Sequence, residues 1–145
     1  MLNTYPTRCS WINSLTMAPV AEESNPRRLI ETFPAILLPK LSHLRRWEIN
    51  QAGSRSVGES ATLFFDDVTR PQLRHSSIQE LHLCSVRIGS YAELIRLLMA
   101  FRRLGSLKCT NLAFGSVDTA GIDTLIVRAR RRLVRISSLT VSIAQ

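Results

Sequence analysis

An apolar frame recurs along this chain of 145 residues. In each copy an apolar residue is followed three and five positions later by two more, and the last two share the spacing of side chains on one face of a strand. The copies are Leu44/Trp47/Ile49, Ile78/Leu81/Leu83, Leu104/Leu107/Cys109 and Ile136/Leu139/Val141. They begin 26 to 34 residues apart. This spacing is close to the length of a leucine-rich repeat, but it is longer and less even.

Helical patterns lie between these frames. A helix is predicted from Pro26, because proline suits the first helical position. Ser90 and Glu93 have the spacing of a capping box at the start of a second helix, and residues 118–133 form a third amphipathic pattern. The apolar stripe expected on the second helix is Leu94, Ile95, Leu98, Phe101 and Leu104. Residues 66–77 contain Pro71 and predict a connection.

These patterns together predict an α/β fold, in which parallel strands alternate with helices in a short, irregular leucine-rich-repeat-like solenoid. Each strand and helix would bury its apolar side only against the next unit, so the units must stack. We expect a flexible lead-in over residues 1–24 and a repeat domain of about four units over residues 25–145. A content of 45% hydrophobic residues is sufficient for such a core.

The run from Ser77 to Cys109, SIQELHLCSVRIGSYAELIRLLMAFRRLGSLKC, resembles the repeat of F-box and leucine-rich-repeat-like proteins of mushroom-forming fungi. The segment from Phe33 to Ile49 is similar to the unit before it. The resemblance covers about residues 27–141 and implies a repeat fold that recognises protein substrates. Arg102 stands where the family often has proline, and Cys109 replaces an aliphatic residue. No F-box is recognisable before the repeats, so we expect a cullin-type adaptor as partner only if an F-box exists outside this chain.

Motifs for catalysis are not found in the sequence. The glycines form no phosphate-binding loop, and we expect His43, His75 and His82 to lie on solvated surfaces. Glu59 with Asp66 and Asp67 is a weak candidate for a divalent ion and fits a polar connection better. Cys84 and Cys109 fit small buried residues better than nucleophiles. We therefore expect no enzyme, no metal and no cofactor.

The cysteines and the N-terminus bear on the compartment. Three widely spaced cysteines give neither a disulfide framework nor a zinc motif. The first twenty residues lack the apolar core of a secretory signal, and no segment has the roughly 20 apolar residues of a membrane span. An intracellular protein without a membrane partner is expected, with the choice between cytoplasm and nucleus left open.

Two binding functions remain, and the first is a protein-interaction scaffold. Its candidate contacts are polar residues near or between the frame positions, because the frame directs their neighbours inward. They are Glu48, Gln79, Glu80, His82, Lys108 and Thr140.

The alternative is electrostatic binding of nucleic acid. Of the net charge of +8, residues 87–145 contribute +7, from ten basic and three acidic side chains. Clustered guanidinium groups suit phosphate oxygens, although the same arginines also fit the solvated outer face of a helix or a nuclear localisation signal. The cluster consists of Arg128, Arg130, Arg131, Arg132 and Arg135.

Overall fold

The computed structural model describes residues 11–18, 26–52, 62–67, 69–116, 122–133 and 136–143. Six strands and four α-helices alternate along this part of the chain. The strands are β1 (Ser14–Met17), β2 (Arg46–Asn50), β3 (Glu80–Cys84), β4 (Arg87–Ile88), β5 (Ser106–Phe114) and β6 (Ser138–Ile143). The helices are α1 (Pro26–Ile36), α2 (Thr69–His75), α3 (Tyr91–Ala100) and α4 (Ile122–Leu133), and a 3-10 helix covers Leu38–Lys40. The predicted α/β fold is confirmed at this level.

The long strands form a parallel sheet in sequence order, β1-β2-β3-β5-β6. Trp47 pairs with Leu81, and Leu81 pairs with Leu107. One strand further, Leu107 pairs with Leu139. The frames deduced from the sequence are therefore aligned residue by residue across the sheet. The short β4 also pairs with β5, beyond a bend at Ser85 that follows β3.

The strands begin at the same level because one backbone hydrogen-bond arrangement is repeated. The carbonyl oxygen of Arg45 accepts hydrogen bonds from the amides of Gln79 and Glu80, at 2.8 and 2.9 Å. The carbonyl oxygens of Asn13, Gln79 and Gly105 each accept in the same way from two consecutive amides that introduce the next strand. We call this arrangement the carbonyl fork. It recurs where β2, β3, β5 and β6 begin, and the starts of these neighbouring strands lie at one level.

The core lies between the sheet and the helices. The frame residues of β2, β3 and β5 are buried, and α1 contributes Ile30 and Phe33 while α3 contributes Leu97 and Leu98. Trp47 is the largest of these side chains. Its ring centroid lies 4.9 Å from that of Phe33 and 6.0 Å from that of Phe65. Aromatic rings at these separations add directional contact to the burial of apolar surface.

Strand β1 corrects the expectation for the N-terminal lead-in. Ser14–Met17 lies inside the segment 1–24 that we expected to be flexible, and it pairs in parallel with β2. Ile12, Leu15 and Met17 have the spacing of the repeated frame and pack against the core as partly buried residues. The frame thus occurs a fifth time, in a form too short and too weakly apolar to be noticed in the sequence.

Helix α2 corrects a second expectation, since residues 66–77 were predicted to form a connection. The Asp66 carboxylate accepts a hydrogen bond from the Thr69 amide at 2.9 Å, and Leu73 is fully buried. The expected connection depended on Pro71. Pro71 lies in the first turn, where the amide that proline lacks has no partner within the helix.

The boundaries of the other helices agree in part with the predictions. Helix α1 begins at Pro26 as expected and continues through Pro34. Helix α3 follows Ser90, whose hydroxyl accepts from the Glu93 amide at 3.3 Å. In the predicted stripe of α3, Leu98 is buried whereas Leu94 and Ile95 are half-buried. Helix α4 begins at Ile122, and the preceding part of the predicted helix lies outside the described residues.

Candidate functional site

The face of the sheet opposite the frame residues carries a row of polar side chains. Parallel pairing places Thr16 beside Glu48, Glu48 beside His82, and His82 beside Lys108. Lys108 in turn pairs with Thr140 on β6. We call these residues the polar row and the surface that bears them the outer face. Four of the residues predicted for protein binding, Glu48, His82, Lys108 and Thr140, are thereby brought into one line.

The other two candidates lie off this line. Glu80 is exposed and occupies the outer face two residues before His82, paired with Arg46 on one side and Ser106 on the other. Gln79 precedes β3, and its carbonyl oxygen takes part in a carbonyl fork. Its side chain is exposed. Glu80 therefore belongs to the same surface as the polar row, while Gln79 lies at its margin.

Arg46, Glu48 and His82 form a contact network at the β2 and β3 end of the outer face. The Nη2 atom of Arg46 lies 3.1 Å from Oε2 of Glu48 and 3.2 Å from Nδ1 of His82. A guanidinium group only donates hydrogen bonds, so Nδ1 accepts and the proton of the neutral imidazole is on Nε2. Sequence reasoning missed Arg46, although its alternation with Trp47 would have placed it on this face.

The environment of His82 favours the neutral ring. Its side chain is 18% exposed, and burial followed by the charge of Arg46 lowers its pKa below 6.5. Lys108 acts in the same direction, while Glu48 and Glu80 oppose it. His82 thus lies on the outer face, as expected of a surface position, but it is half-buried rather than fully solvated. His43 and His75 are exposed, as expected.

Around Lys108 the outer face has a different composition. Its neighbours along β5 are Ser106 and Thr110, and Thr140 lies beside it on β6. These are hydroxyl-bearing residues, and Lys108 itself is exposed. The outer face thus has one half in which opposite charges compensate each other and another half in which a single ammonium group is surrounded by hydroxyl groups.

The two described cysteines have different environments. Cys109 is a frame residue of β5, and burial raises its pKa to about 11. Cys84 belongs to the outer face beside Thr110 and is half-buried. The expectation of a buried residue is confirmed for Cys109 and wrong for Cys84, because alternation along β3 directs position 84 away from the core.

The structure describes only part of the basic cluster. Arg128 and Arg130 on α4 are exposed, and Ala129 between them is buried. The side chains of Arg131 and Arg132, and Arg135 as a whole, lie outside the described residues. Arg102 and Arg103 after α3 are also exposed. The helix layer therefore presents guanidinium groups, whereas the outer face of the sheet has mixed charge.

Elsewhere in the described chain there are one small hollow and a few acidic side chains with local partners. A hollow of about 10 Å³ lies among Leu63, Phe65, Arg70, Ile88, Glu93 and Leu97, which is room for about one water molecule. Asp66 caps α2, and Asp67 forms an ion pair with Arg70 at 2.7 Å. Glu59 lies outside the described residues. Within the described ranges, no three histidine, cysteine or acidic side chains are grouped to bind a metal ion.

The chain was compared with protein-family models, curated protein sequences and solved structures, and none of these comparisons gave a match. Within the part of the chain that the structure describes, no helix has the length and apolar content needed to cross a membrane.

Proposed function

We propose that this chain is a non-catalytic protein-interaction module, built as a leucine-rich-repeat-like solenoid, that binds another protein through its polar row. The observation that carries the proposal is the alignment of Glu48, His82, Lys108 and Thr140 across four neighbouring strands. Their backbones are held by the parallel sheet, so their polar groups are presented at a fixed spacing of about 4.8 Å. This protein would therefore lose little conformational freedom when a partner binds.

Support for a repeat arrangement comes from the carbonyl fork and from the turn after each strand. In leucine-rich repeats the third residue after the last frame position is asparagine or cysteine, and an apolar residue follows two positions later. Here the third position is Val86 in one unit and Leu112 in another, and both are buried. Ile88 and Phe114 occupy the later position. The spacing follows the leucine-rich pattern while the asparagine or cysteine is replaced by an aliphatic residue.

The charge of the outer face favours a protein partner over a uniformly charged polymer. Arg46 and Glu48 compensate each other at 3.1 Å, and exposed Glu80 and Lys108 carry opposite charges on neighbouring strands. Complementary charges on a partner would set its orientation and rate of association more than its affinity. An intracellular partner is proposed, in line with the cysteine content.

The experiment is partner capture from a native cell extract on the immobilised full chain, with the bound proteins identified. A variant with His82, Lys108 and Thr140 changed to alanine should lose the captured proteins. The matched control changes His75, Arg103 and Thr124 to alanine, because these exposed residues have nearly the same chemistry and lie on or beside the helices. Equal capture by the two variants would contradict the proposed surface.

A link to ubiquitin ligases is a narrower form of the proposal. It rests on the resemblance of residues 27–141 to F-box and leucine-rich-repeat-like proteins, in which the repeats recognise the substrate. Capture of a cullin adaptor by this chain would support it. Recovery of other proteins without any adaptor would leave a scaffold unconnected to such ligases.

Nucleic-acid binding through α4 is the second candidate, favoured by the exposure of Arg128 and Arg130, which flank buried Ala129 on the helix. Binding dominated by phosphate contacts falls steeply with salt. Changing Arg130, Arg131 and Arg132 together to glutamine should then abolish retention of nucleic acid at low salt. Capture that survives nuclease and high salt would argue against this candidate.

A further inference from the structure

The polar row contains two hydrogen-bond donors that face the same space from neighbouring strands. His82 and Lys108 pair in register between β3 and β5. Since Nδ1 of His82 accepts from Arg46 at 3.2 Å, the neutral ring has its N–H group at Nε2. Among the described side chains, no acceptor lies within hydrogen-bonding distance of the Lys108 ammonium group. Both donors are therefore available to an acceptor from another molecule.

The surroundings of these donors suit an anion. Ser106 and Thr110 flank Lys108 along β5, and Thr140 lies beside it on β6. Hydroxyl groups can donate to an anionic oxygen without adding charge. The carboxylate of Glu48 is held by Arg46 at 3.1 Å on the far side of His82, and Glu80 lies two residues away along β3. Repulsion of an incoming anion is therefore weakest around Lys108.

We infer that His82 and Lys108 form a subsite for a single carboxylate, supplied by an aspartate or glutamate side chain of the protein partner. The inference rests on the proposed function, because it assumes that the outer face is the contact surface. One ammonium group, one neutral N–H donor and neighbouring hydroxyls match one negative charge. A phosphate group carries about −1.5 to −2 charges at neutral pH and commonly requires a cluster of arginines.

Binding at this subsite is linked to the protonation of His82. The charged groups around the ring are Arg46 and Glu48 on β2, Glu80 on β3 and Lys108 on β5. A bound carboxylate adds a negative charge beside the imidazole, so it favours the protonated ring and raises the pKa of His82. By the same linkage, the carboxylate binds more tightly as the pH falls through that pKa.

The test follows the His82 ring by NMR as a function of pH in the full chain. Three short blocked peptides are added in turn, with a central aspartate, asparagine or phosphoserine between glycines. The aspartate peptide should raise the pKa of His82, and the asparagine peptide should leave it unchanged. The aspartate peptide should also bind more tightly below the pKa of His82 that this titration gives than above it, because the protonated ring adds a positive charge beside the carboxylate.

Two variants locate the effect. Lys108→Gln should abolish the response to the aspartate peptide, while Arg103→Gln removes the same charge from an exposed position beyond α3 and should preserve it. An unchanged titration with the aspartate peptide, an equal response in Lys108→Gln, or a larger response to phosphoserine would overturn the inference. This readout does not depend on any captured protein, so the subsite can fail while the outer face still proves to be the contact surface.

Discussion

Leu107 and Leu139 pair in register on neighbouring parallel strands, yet Leu107 is 3% exposed and Leu139 is 63% exposed. Both occupy the middle position of the repeated frame. The difference arises because β5 is flanked by β3 and β6, whereas β6 pairs with β5 alone among the described strands. Val141, the next frame residue of β6, is also exposed. The frame residues of β6 are therefore much less covered than those of its neighbour β5.

This difference predicts unequal effects of the same substitution. Leu107→Ala should lower the free energy of unfolding by about 2–5 kcal/mol, since it removes buried methyl groups and leaves a cavity. Leu139→Ala should change it by about 0.5 kcal/mol or less, as expected at an exposed position. Urea denaturation of the two variants measures both values. Similar losses would mean that Leu139 is covered in solution.

The hydroxyl of Ser90 predicts a second effect on stability. Ser90→Ala removes the acceptor of the Glu93 amide at the start of α3, and loss of such a cap costs about 0.5–2 kcal/mol. Ser116→Ala is a suitable comparison, because the Ser116 hydroxyl bonds to a loop carbonyl and is exposed. The urea midpoint should fall more for the Ser90 variant. An equal or smaller decrease would show that the cap contributes little here.

Removing the charge of Arg46 and removing the charge of Glu48 should shift the pKa of His82 in opposite directions. Burial is the largest cause of the lowered pKa and the charge of Arg46 is the next, so Arg46→Gln should raise the pKa part of the way towards 6.5. Glu48→Gln should lower it further. NMR titration measures both shifts, and Arg45→Gln is the control with the same change of charge as Arg46→Gln. If the pKa of His82 is the same in Arg46→Gln as in the unchanged chain, the guanidinium group of Arg46 does not lie beside the His82 ring in solution.

Because the pKa of His82 is lower in the folded chain than its ordinary 6.5, folding favours the neutral ring. The resulting contribution to stability is present above pH 6.5 and is lost as the pH falls through the pKa of the folded state. His82→Gln should reduce this acid-dependent loss. Denaturation curves recorded over this pH range test the sign.

Cys109 and Cys84 should differ in reactivity. The pKa of Cys109 is raised to about 11 by burial, and the thiolate is the reactive form. Iodoacetamide at neutral pH should therefore modify half-buried Cys84 faster than Cys109 in the folded chain, and both should react in urea. Peptide mass mapping distinguishes the sites. Preferential labelling of Cys109 would contradict the described packing of β5.

The raised pKa of Cys109 also has a consequence for stability. A thiol whose pKa rises from 9.0 to about 11 on folding stabilises the fold below pH 9. This contribution is lost as the pH rises towards 11, because the unfolded chain then ionises first. Cys109→Ala should remove this part of the alkaline loss.

Most strands of the sheet were predictable from the sequence, whereas the edge strand β1 and helix α2 were not. The frame predicted which residues of β2, β3 and β5 would face the core, because alternation within a strand fixes the face of each side chain. Strand β1 was missed, since Leu15 and Met17 lie in a segment with little other pattern. Helix α2 was missed because Pro71 was interpreted without regard to its position in a first helical turn.

The candidate site was predictable as a set of positions but not as a network. Alternation placed Glu48, His82 and Lys108 on one face. Their neighbours across the sheet depend on register, which no local pattern specifies. The contact between Arg46 and His82, 36 residues apart in sequence, follows from that register. The tautomer of His82 and the separation of charges between the two halves of the outer face likewise depend on the register of the strands.

Because the carbonyl fork holds the starts of the strands, insertions in the connections and substitutions on the outer face should have independent effects. Connections between the long strands differ in length, from the short one between β3 and β5 to the longer one between β2 and β3, yet the five long strands of the sheet start at the same level. Insertions on the helical side should therefore leave the outer face undisturbed. Its side chains could be exchanged one at a time, so recognition could diversify without any rearrangement of the backbone.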